Sequence, residues 1–329
     1  MISRSAWVMV LLFPLLPAVM AHAQTSAPSA CKPVVLDVLQ GEPVPVEAML
    51  EDIAQACIIY LGEFHTIRRH HELQTEIVRR LSDRGLKLAL GMEMFSESQQ
   101  PALDHWQKGK SPIQDLVKEL GPEHWTNIED YQQVLMLARD LGVPIFGLNA
   151  SDKLVRKVAR EGLEGLTPSE KRLIPEGLEP INPDYDRLLR LRLKVHRAFQ
   201  EKSLERIVLA QALRDETMAR ALIRALDSAE GKDRIMLVIA GNGHINYGFG
   251  IPERVRKLTS LPDRIVLPTE SGELVLSEAE ERQAAPISVT HEDLMFIRTP
   301  IADYLHILPL KESDDLDDPN SATNTTARP

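Results

Sequence analysis

Cysteine is scarce in this chain, two in 329 residues, and basic side chains are outnumbered, 38 against 48 acidic ones. The formal net charge of -10 leaves nothing like the basic stripe that nucleic-acid binding needs, which removes that class of partner. Several catalytic and cofactor signatures are also missing. There is no G-x-S-x-G elbow, no phosphate-cradling P-loop, no H-E-x-x-H and no C-x-x-C-H, and no dinucleotide fingerprint follows the first buried strand. No strict internal repeat occurs. What remains is an ordinary globular mixture, 43% hydrophobic and 26% charged, long enough for one large or two modest domains.

Long apolar runs are absent except at the start. MISRSAWVMVLLFPLLPAVMAHAQ carries one early Arg, an apolar stretch, then Ala21-His22-Ala23, the layout of a secretory signal cleaved after Ala23. Pro14 and Pro17 argue against a permanent spanning helix. The expected mature protein is therefore exported and periplasmic, with an N-terminal arm over 24–50 and a main domain over 51–311. Residues 312–329, acidic and then Ser/Thr/Asn-rich, are expected to be a disordered tail. Cys31 offers a lipidation point, but Pro28-Ser29-Ala30 before it lacks the usual aliphatic residue. An oxidising compartment permits a Cys31–Cys57 bridge; the alternative is a buried thiol at Cys57 and a loose one at Cys31.

Five short apolar runs predict buried strands: Ile58–Leu61, Leu86–Met92, Pro144–Leu148, Ile235–Ala240 and Arg264–Leu267. Amphipathic stretches over Glu72–Ser82, Ile128–Leu141 and Glu205–Ala229 predict helices between them. Strands alternating with helices of this length mean βαβ units, an α/β fold with a mainly parallel central sheet flanked by helices. Residues 151–202 break the alternation with helical patterns alone and predict a helical insertion or cap. GELVLS and PISVTHEDLMFIRT are expected to form a terminal hairpin or edge strands.

The first strand ends in Gly62-Glu63-Phe64-His65 and the fourth in Gly241-Asn242-Gly243-His244. Each reads as apolar strand, glycine, two residues, histidine. Open α/β sheets bind ligands outside the carboxyl ends of their strands, so neighbouring strands would aim both imidazoles at one crevice. Glu63 shares the first loop, and Glu93 is expected just past the strand LKLALGM. Carboxylates beside imidazoles suit a metal site or general-base chemistry; the plain alternative is a set of caps and ion pairs.

The helix after His65 begins with Arg68, Arg69, His70 and His71. Adjacent helical residues point about 100° apart, so one histidine alone joins the crevice. His71 shares a face with Gln74; His70 is left solvated or as a second contact. Arg68 is either an anion contact or part of an exposed basic turn. Asp215, with Met218 and Leu222, lies on an otherwise apolar helical face and needs a partner such as an orienting histidine. Of five tyrosines, Tyr247 lies three residues after His244 and Tyr185 lies in the helical insertion. A phenolate can ligate ferric haem.

The ordered set YLGEFHTIRRHHELQ, LALGMEMFSESQQPALDHW, LRDETMARAL and AGNGHINYGFGIPERV resembles the ChaN-like haem-binding proteins, relatives of the Tiki/TraB proteins and the erythromycin esterases. The resemblance runs from Ile58 to Val255. It implies an α/β fold with a helical part, haem (iron) at the strand ends, and the paired G-x-x-H with an acidic residue, matched by His65, His244 and Glu93. It also implies a tyrosinate axial ligand, for which Tyr185 and then Tyr247 are the candidates, with haems paired across a homodimer. His65, His71, His244 and Arg68 are the further candidate contacts. Thr66 departs from the Asp often found after the first histidine. The leading expectation is an exported haem-binding protein of haem or iron uptake, a carrier rather than an enzyme, with outer-membrane uptake machinery as a partner. The rival is a metal-dependent hydrolase, Tiki-like or esterase-like, using Glu63, His65, Glu93 and His244 around a divalent ion.

Overall fold

The structure, a computed structural model, describes residues 33–176, 178, 181–193, 201–271 and 290–309. The export segment, Cys31 with its lipid or disulfide, GELVLS and the acidic tail lie outside the described residues. The described residues fall in one compact unit.

The chain opens with β1 (Val34–Asp37), β2 (Glu42–Val44) and α1 (Val46–Ile53), then β3 (Ile58–Glu63) and α2 (Arg68–Asp83). Next come β4 (Leu88–Ser96), α3 (Gln100–Lys108), α4 (Ile113–Leu120), α5 (Gln132–Asp140) and β5 (Ile145–Asn149). The helices α6 (Asp152–Glu161), α7 (Pro168–Lys171), α8 (Pro183–Leu193) and α9 (Glu201–Asp227) lead to β6 (Ile235–Gly241). The order closes with α10 (Ile251–Leu258), β7 (Asp263–Ser271), α11 (His291–Leu294) and β8 (Tyr304–Pro309).

All eight strands form one sheet, ordered β2-β1-β8-β7-β3-β6-β4-β5. The pairs β8–β7, β7–β3, β3–β6, β6–β4 and β4–β5 are parallel; β1 pairs antiparallel with β2 and β8. Every residue of β3 and β4 is buried, as continuous apolar runs in a parallel sheet covered on both faces require. One face packs Leu50, Val78, Leu81, Leu116 and Leu135 from α1, α2, α4 and α5 against the sheet. The other receives Met218, Leu222, Ile251 and Val255 from α9 and α10.

The five expected strands and three expected helices are present, and the described part of 151–202 holds helices joined by turns and no strand. Two expectations need correction. The described part of PISVTHEDLMFIRT is a short helix rather than a strand, because Thr290 caps it by accepting from the Asp293 N–H. Strand β4 runs on through Glu93 to Ser96, so Glu93 stands inside the strand and not beyond it. The ribbon β1–β2 and the strand β8 had no counterpart among the expected elements.

Candidate functional site

Parallel pairing of β3 with β6 sets Gly62 opposite Ala240 and Glu63 opposite Gly241, so the two G-x-x-H turns leave the sheet side by side. The near approach depends on the glycines. A Cβ on Gly241 would meet His65 Nε2 at 2.7 Å, and one on Gly62 would meet Asn242 Oδ1 at 2.3 Å.

The polar side chains form a ladder across the carboxyl ends of β3, β4 and β6, with one open step between His65 and Glu93. His65 Nδ1–H donates to Glu63 Oε1 at 2.6 Å. Glu63 is buried, and its carboxylate also accepts from Gln74 Nε2 at 2.6 Å and from the Tyr131 hydroxyl. His65 Nε2 has no hydrogen-bond partner among the described residues; the nearest carboxylate, Glu93, stands 4.0 Å away. Glu93 accepts from the Gly241 N–H at 2.7 Å and lies 3.2 Å from His244 Nε2. His244 Nδ1–H donates to Asp215 on α9 at 2.5 Å.

The ladder is electrostatically matched. Burial works against charge on His244, but Glu93 and Asp215 outweigh it and push the imidazole up to about 10. Burial likewise opposes ionisation of Glu93, and the charge and hydrogen bond of His244 win, holding its carboxyl well below the ordinary range. Burial pushes the Asp215 carboxyl up against the pull of His244. For His65 the cost of burial is exceeded by the Glu63 hydrogen bond and the Glu93 charge, so it titrates above 6.5. His70 and His71 go the other way. Burial drops His70 to about 4 and also lowers His71, so both stay neutral near pH 7.

The expected residues fall into three groups. Glu63, His65, Glu93 and His244 converge, and Asp215 finds the orienting histidine that its apolar face required. His71 Nε2 approaches Glu63 at 3.6 Å beside Gln74. His70, rather than being solvated, is fully buried and accepts from the Phe64 N–H at 3.0 Å. Arg68 stays outside the crevice, exposed and paired with Glu72 one helical turn on. Neither tyrosine faces the site. The Tyr185 hydroxyl is buried behind His244, donating to the Gly243 carbonyl at 2.7 Å and accepting from Gln211 at 2.9 Å. Burial pushes it well above its ordinary value of 10, which disfavours a phenolate. The Tyr247 ring packs beside Phe249, on a backbone with φ of 64°.

Tyr131 and Gln211 were not anticipated. Tyr131 lies 68 residues from the Glu63 it supports, and nothing local in the sequence marks it. Gln211 lies one helical turn before Asp215, and the same helical spacing would have placed it near His244.

Two cavities flank the ladder. One, about 300 Å³, is lined by His65 and His244 with Gln211 and Arg192 and by the apolar Leu189 and Val208 of α8 and α9. The other, about 350 Å³, lies beyond Glu93 at the ends of β4 and β5. Among the described residues no group of three or more His, Cys, Asp or Glu side chains is arranged to hold a metal ion. Most of the carboxylate oxygens are taken up by neighbouring imidazole, amide and hydroxyl donors, while His65 Nε2 is left open.

The family described as "Haem-binding uptake, Tiki superfamily, ChaN" matches residues 49–255. Among solved structures, ChaN of Campylobacter jejuni with cofacially bound heme is 20% identical, covers 84% of this chain and 96% of its own, and superposes with a TM-score of 0.61. That likeness shows a shared fold. An erythromycin esterase in its open conformation is more distant: 14% identical, covering 73% of this chain and 77% of its own, TM-score 0.45. Protein RETICULATA-RELATED 5, chloroplastic, of Arabidopsis thaliana is 28% identical over 265 residues, 73% of this chain. The chain spans 35% of the length of that curated relative.

Proposed function

The chain belongs to the ChaN haem-binding uptake family of the Tiki superfamily, and from that premise we propose that it is an exported haem carrier serving haem or iron uptake. The proposed seat of haem is the cavity between the strand ends and helices α8 and α9. One observation carries this reading. Glu63 holds the Nδ1–H of His65, which turns a half-exposed Nε2 with no hydrogen-bond partner among the described residues toward a cavity with apolar walls.

A carboxylate on the far ring nitrogen is how proteins orient a ligating histidine and raise its basicity. Bound haem would supply an iron with a coordination position that an imidazole can fill. His65 is therefore assigned as the iron-facing residue in place of Tyr185 and Tyr247, whose hydroxyls lie outside the cavity. Leu189, Ile207 and Val208 would offer a porphyrin an apolar surface, and the Arg192 guanidinium would suit a propionate. His244, locked between two carboxylates, acts as a fixed positive charge that orders Glu93 rather than as a ligand.

Titration of ferric haem into the mature chain, followed in the Soret band, tests the reading. Saturation at a defined stoichiometry is expected; a featureless non-saturating rise overturns it. Export and cleavage after Ala23 are part of the proposal and are checked by the N-terminal mass of protein from the periplasmic fraction. A second copy of the chain and outer-membrane uptake machinery are its proposed partners.

The hydrolase reading has one observation in its favour, the convergence of Glu63, His65, Glu93 and His244 in one ladder. A histidine held at Nδ1 by a carboxylate is also a general-base arrangement. It requires turnover of an ester or peptide that His65→Ala abolishes.

A further inference from the structure

We propose that helix α3 stands in for a further strand at the free edge of the sheet, and that its glutamines Gln100 and Gln107 keep β5 from pairing with β5 of a second copy of this chain. The proposal does not depend on haem binding.

Among the described residues the sheet ends at β5 on one side and at β2 on the other. Strand β2 blunts its own edge. It is three residues long, Glu42-Pro43-Val44, with a charge and a proline that has no N–H to offer. Strand β5 has neither safeguard. It reads Ile-Phe-Gly-Leu-Asn, with no charge and no proline, a composition that invites another strand to pair.

Along a strand of a parallel sheet the backbone groups face the two neighbours alternately. The Pro144 carbonyl accepts from the Leu90 N–H at 2.9 Å, on the β4 side. The Val143 carbonyl, both groups of Ile145 and the Gly147 N–H are therefore directed at the outer edge. Two side chains of α3 take all of them. Gln107 Nε2 donates to the Val143 carbonyl at 2.9 Å, and its Oε1 accepts from the Ile145 N–H at 3.0 Å. Gln100 Nε2 donates to the Ile145 carbonyl at 2.8 Å, and its Oε1 accepts from the Gly147 N–H at 2.8 Å.

Each amide donates to one carbonyl and accepts from the N–H two residues further on. A residue of a neighbouring parallel strand bonds in that same pattern. A primary amide carries the donor and acceptor of a peptide unit, so the imitation is chemical as well as geometric. The two glutamines are seven residues apart, which brings them to one side of α3 two turns from each other. Gln100 Nε2 also donates to Asp104 at 2.8 Å, which fixes which end of that amide is the donor. Without the glutamines the outer groups of β5 stand unpaired. A second copy offers the same groups, and antiparallel pairing of β5 with β5 about a two-fold axis closes as a dimer.

Hydrogen exchange of the mature chain, read amide by amide in NMR spectra, tests the proposal. Slow exchange is expected at Ile145 and Gly147 in the wild type. Gln107→Leu should speed exchange at Ile145 about tenfold, the factor for one lost hydrogen bond, and leave Gly147 as it was; Gln100→Leu should do the reverse. Phe146, whose N–H faces β4 by the strand alternation, should be unchanged in both. The double variant should rise in mass with concentration in light scattering, toward twice the mass of the wild type in the same buffer. Fast exchange at Ile145 and Gly147 in the wild type overturns the proposal, and so do single variants without the crossed pattern. A double variant with the wild-type mass at every concentration overturns it as well. If the double variant does not fold, Gln107→Leu takes its place in the mass comparison, because it already frees the Val143 carbonyl and the Ile145 N–H.

Discussion

His65 and His244 end the same motif, but their neighbours give them opposite tasks. His65 has one carboxylate on Nδ1 and an open Nε2; His244 has a carboxylate on each nitrogen. Protons compete with a metal for an imidazole lone pair. Because His65 titrates above 6.5, haem affinity of the wild type should fall as pH drops through that raised value, in a pH series of the Soret titration. The stability argument for His244 has the reverse sense. Its folded value near 10 exceeds the unfolded 6.5, so its contribution is complete below about 6.5 and is lost as pH rises toward 10. Glu93, held below 4.5, contributes above that value and loses its contribution as pH falls. Asp215→Ala removes one side of the buried pair and should cost about 3–5 kcal/mol in urea unfolding at neutral pH. It should also flatten the alkaline loss seen in the wild type. These residues were legible from sequence because each sits within three residues of a glycine near an expected strand end or on the wrong face of an apolar helix. Tyr131 was not, since its role depends on a contact between distant segments.

The site at the level of elements is a matter of register. Strands β3 and β6 are in step at Gly62–Ala240 and Glu63–Gly241, and a shift by one residue would turn Glu63 or His244 away. Gly241→Ala would press a methyl group on His65 Nε2, because the Cβ position is 2.7 Å from it. That variant should keep its circular dichroism spectrum and lose haem affinity by about tenfold or more, as one displaced ligand contact would. Strands buried on both faces announce themselves as unbroken apolar runs, which is why β3, β4 and β6 could be read directly. Strand β1, with Val-Val-Leu-Asp, and β2, with Glu-Pro-Val, are too short and mixed to separate from loop. The helix α11 hid inside a β-rich composition because the Thr290–Asp293 cap, a local hydrogen-bond pattern, overrode the propensity of its neighbours.

Over the whole molecule, the sheet order joins segments from both ends of the chain. Strand β8 lies between β7 and β1, and Tyr304 donates its hydroxyl to Asp52 at 3.0 Å, which in turn pairs with Arg264 at 2.7 Å. Such pairings span more than two hundred residues, and hydrophobic pattern alone does not encode them. Ending the chain at Asp303 should therefore uncouple the β1–β2 ribbon and lower the melting midpoint by about 10 °C or more. Ending it at Lys311 should leave the midpoint unchanged. Differential scanning calorimetry of the two truncations separates these outcomes.

The central claim is that haem is held at the strand ends with His65 facing the iron. Its most direct measurement is the Soret titration of ferric haem into the mature wild type, His65→Ala, Tyr185→Phe and Tyr247→Phe, side by side. The expected result is saturable binding in the wild type and both tyrosine variants, with a changed spectrum and a loss of affinity of about a hundredfold or more in His65→Ala. Unaltered binding and spectrum in His65→Ala, with loss in either tyrosine variant, would contradict the claim and return the iron to a phenolate.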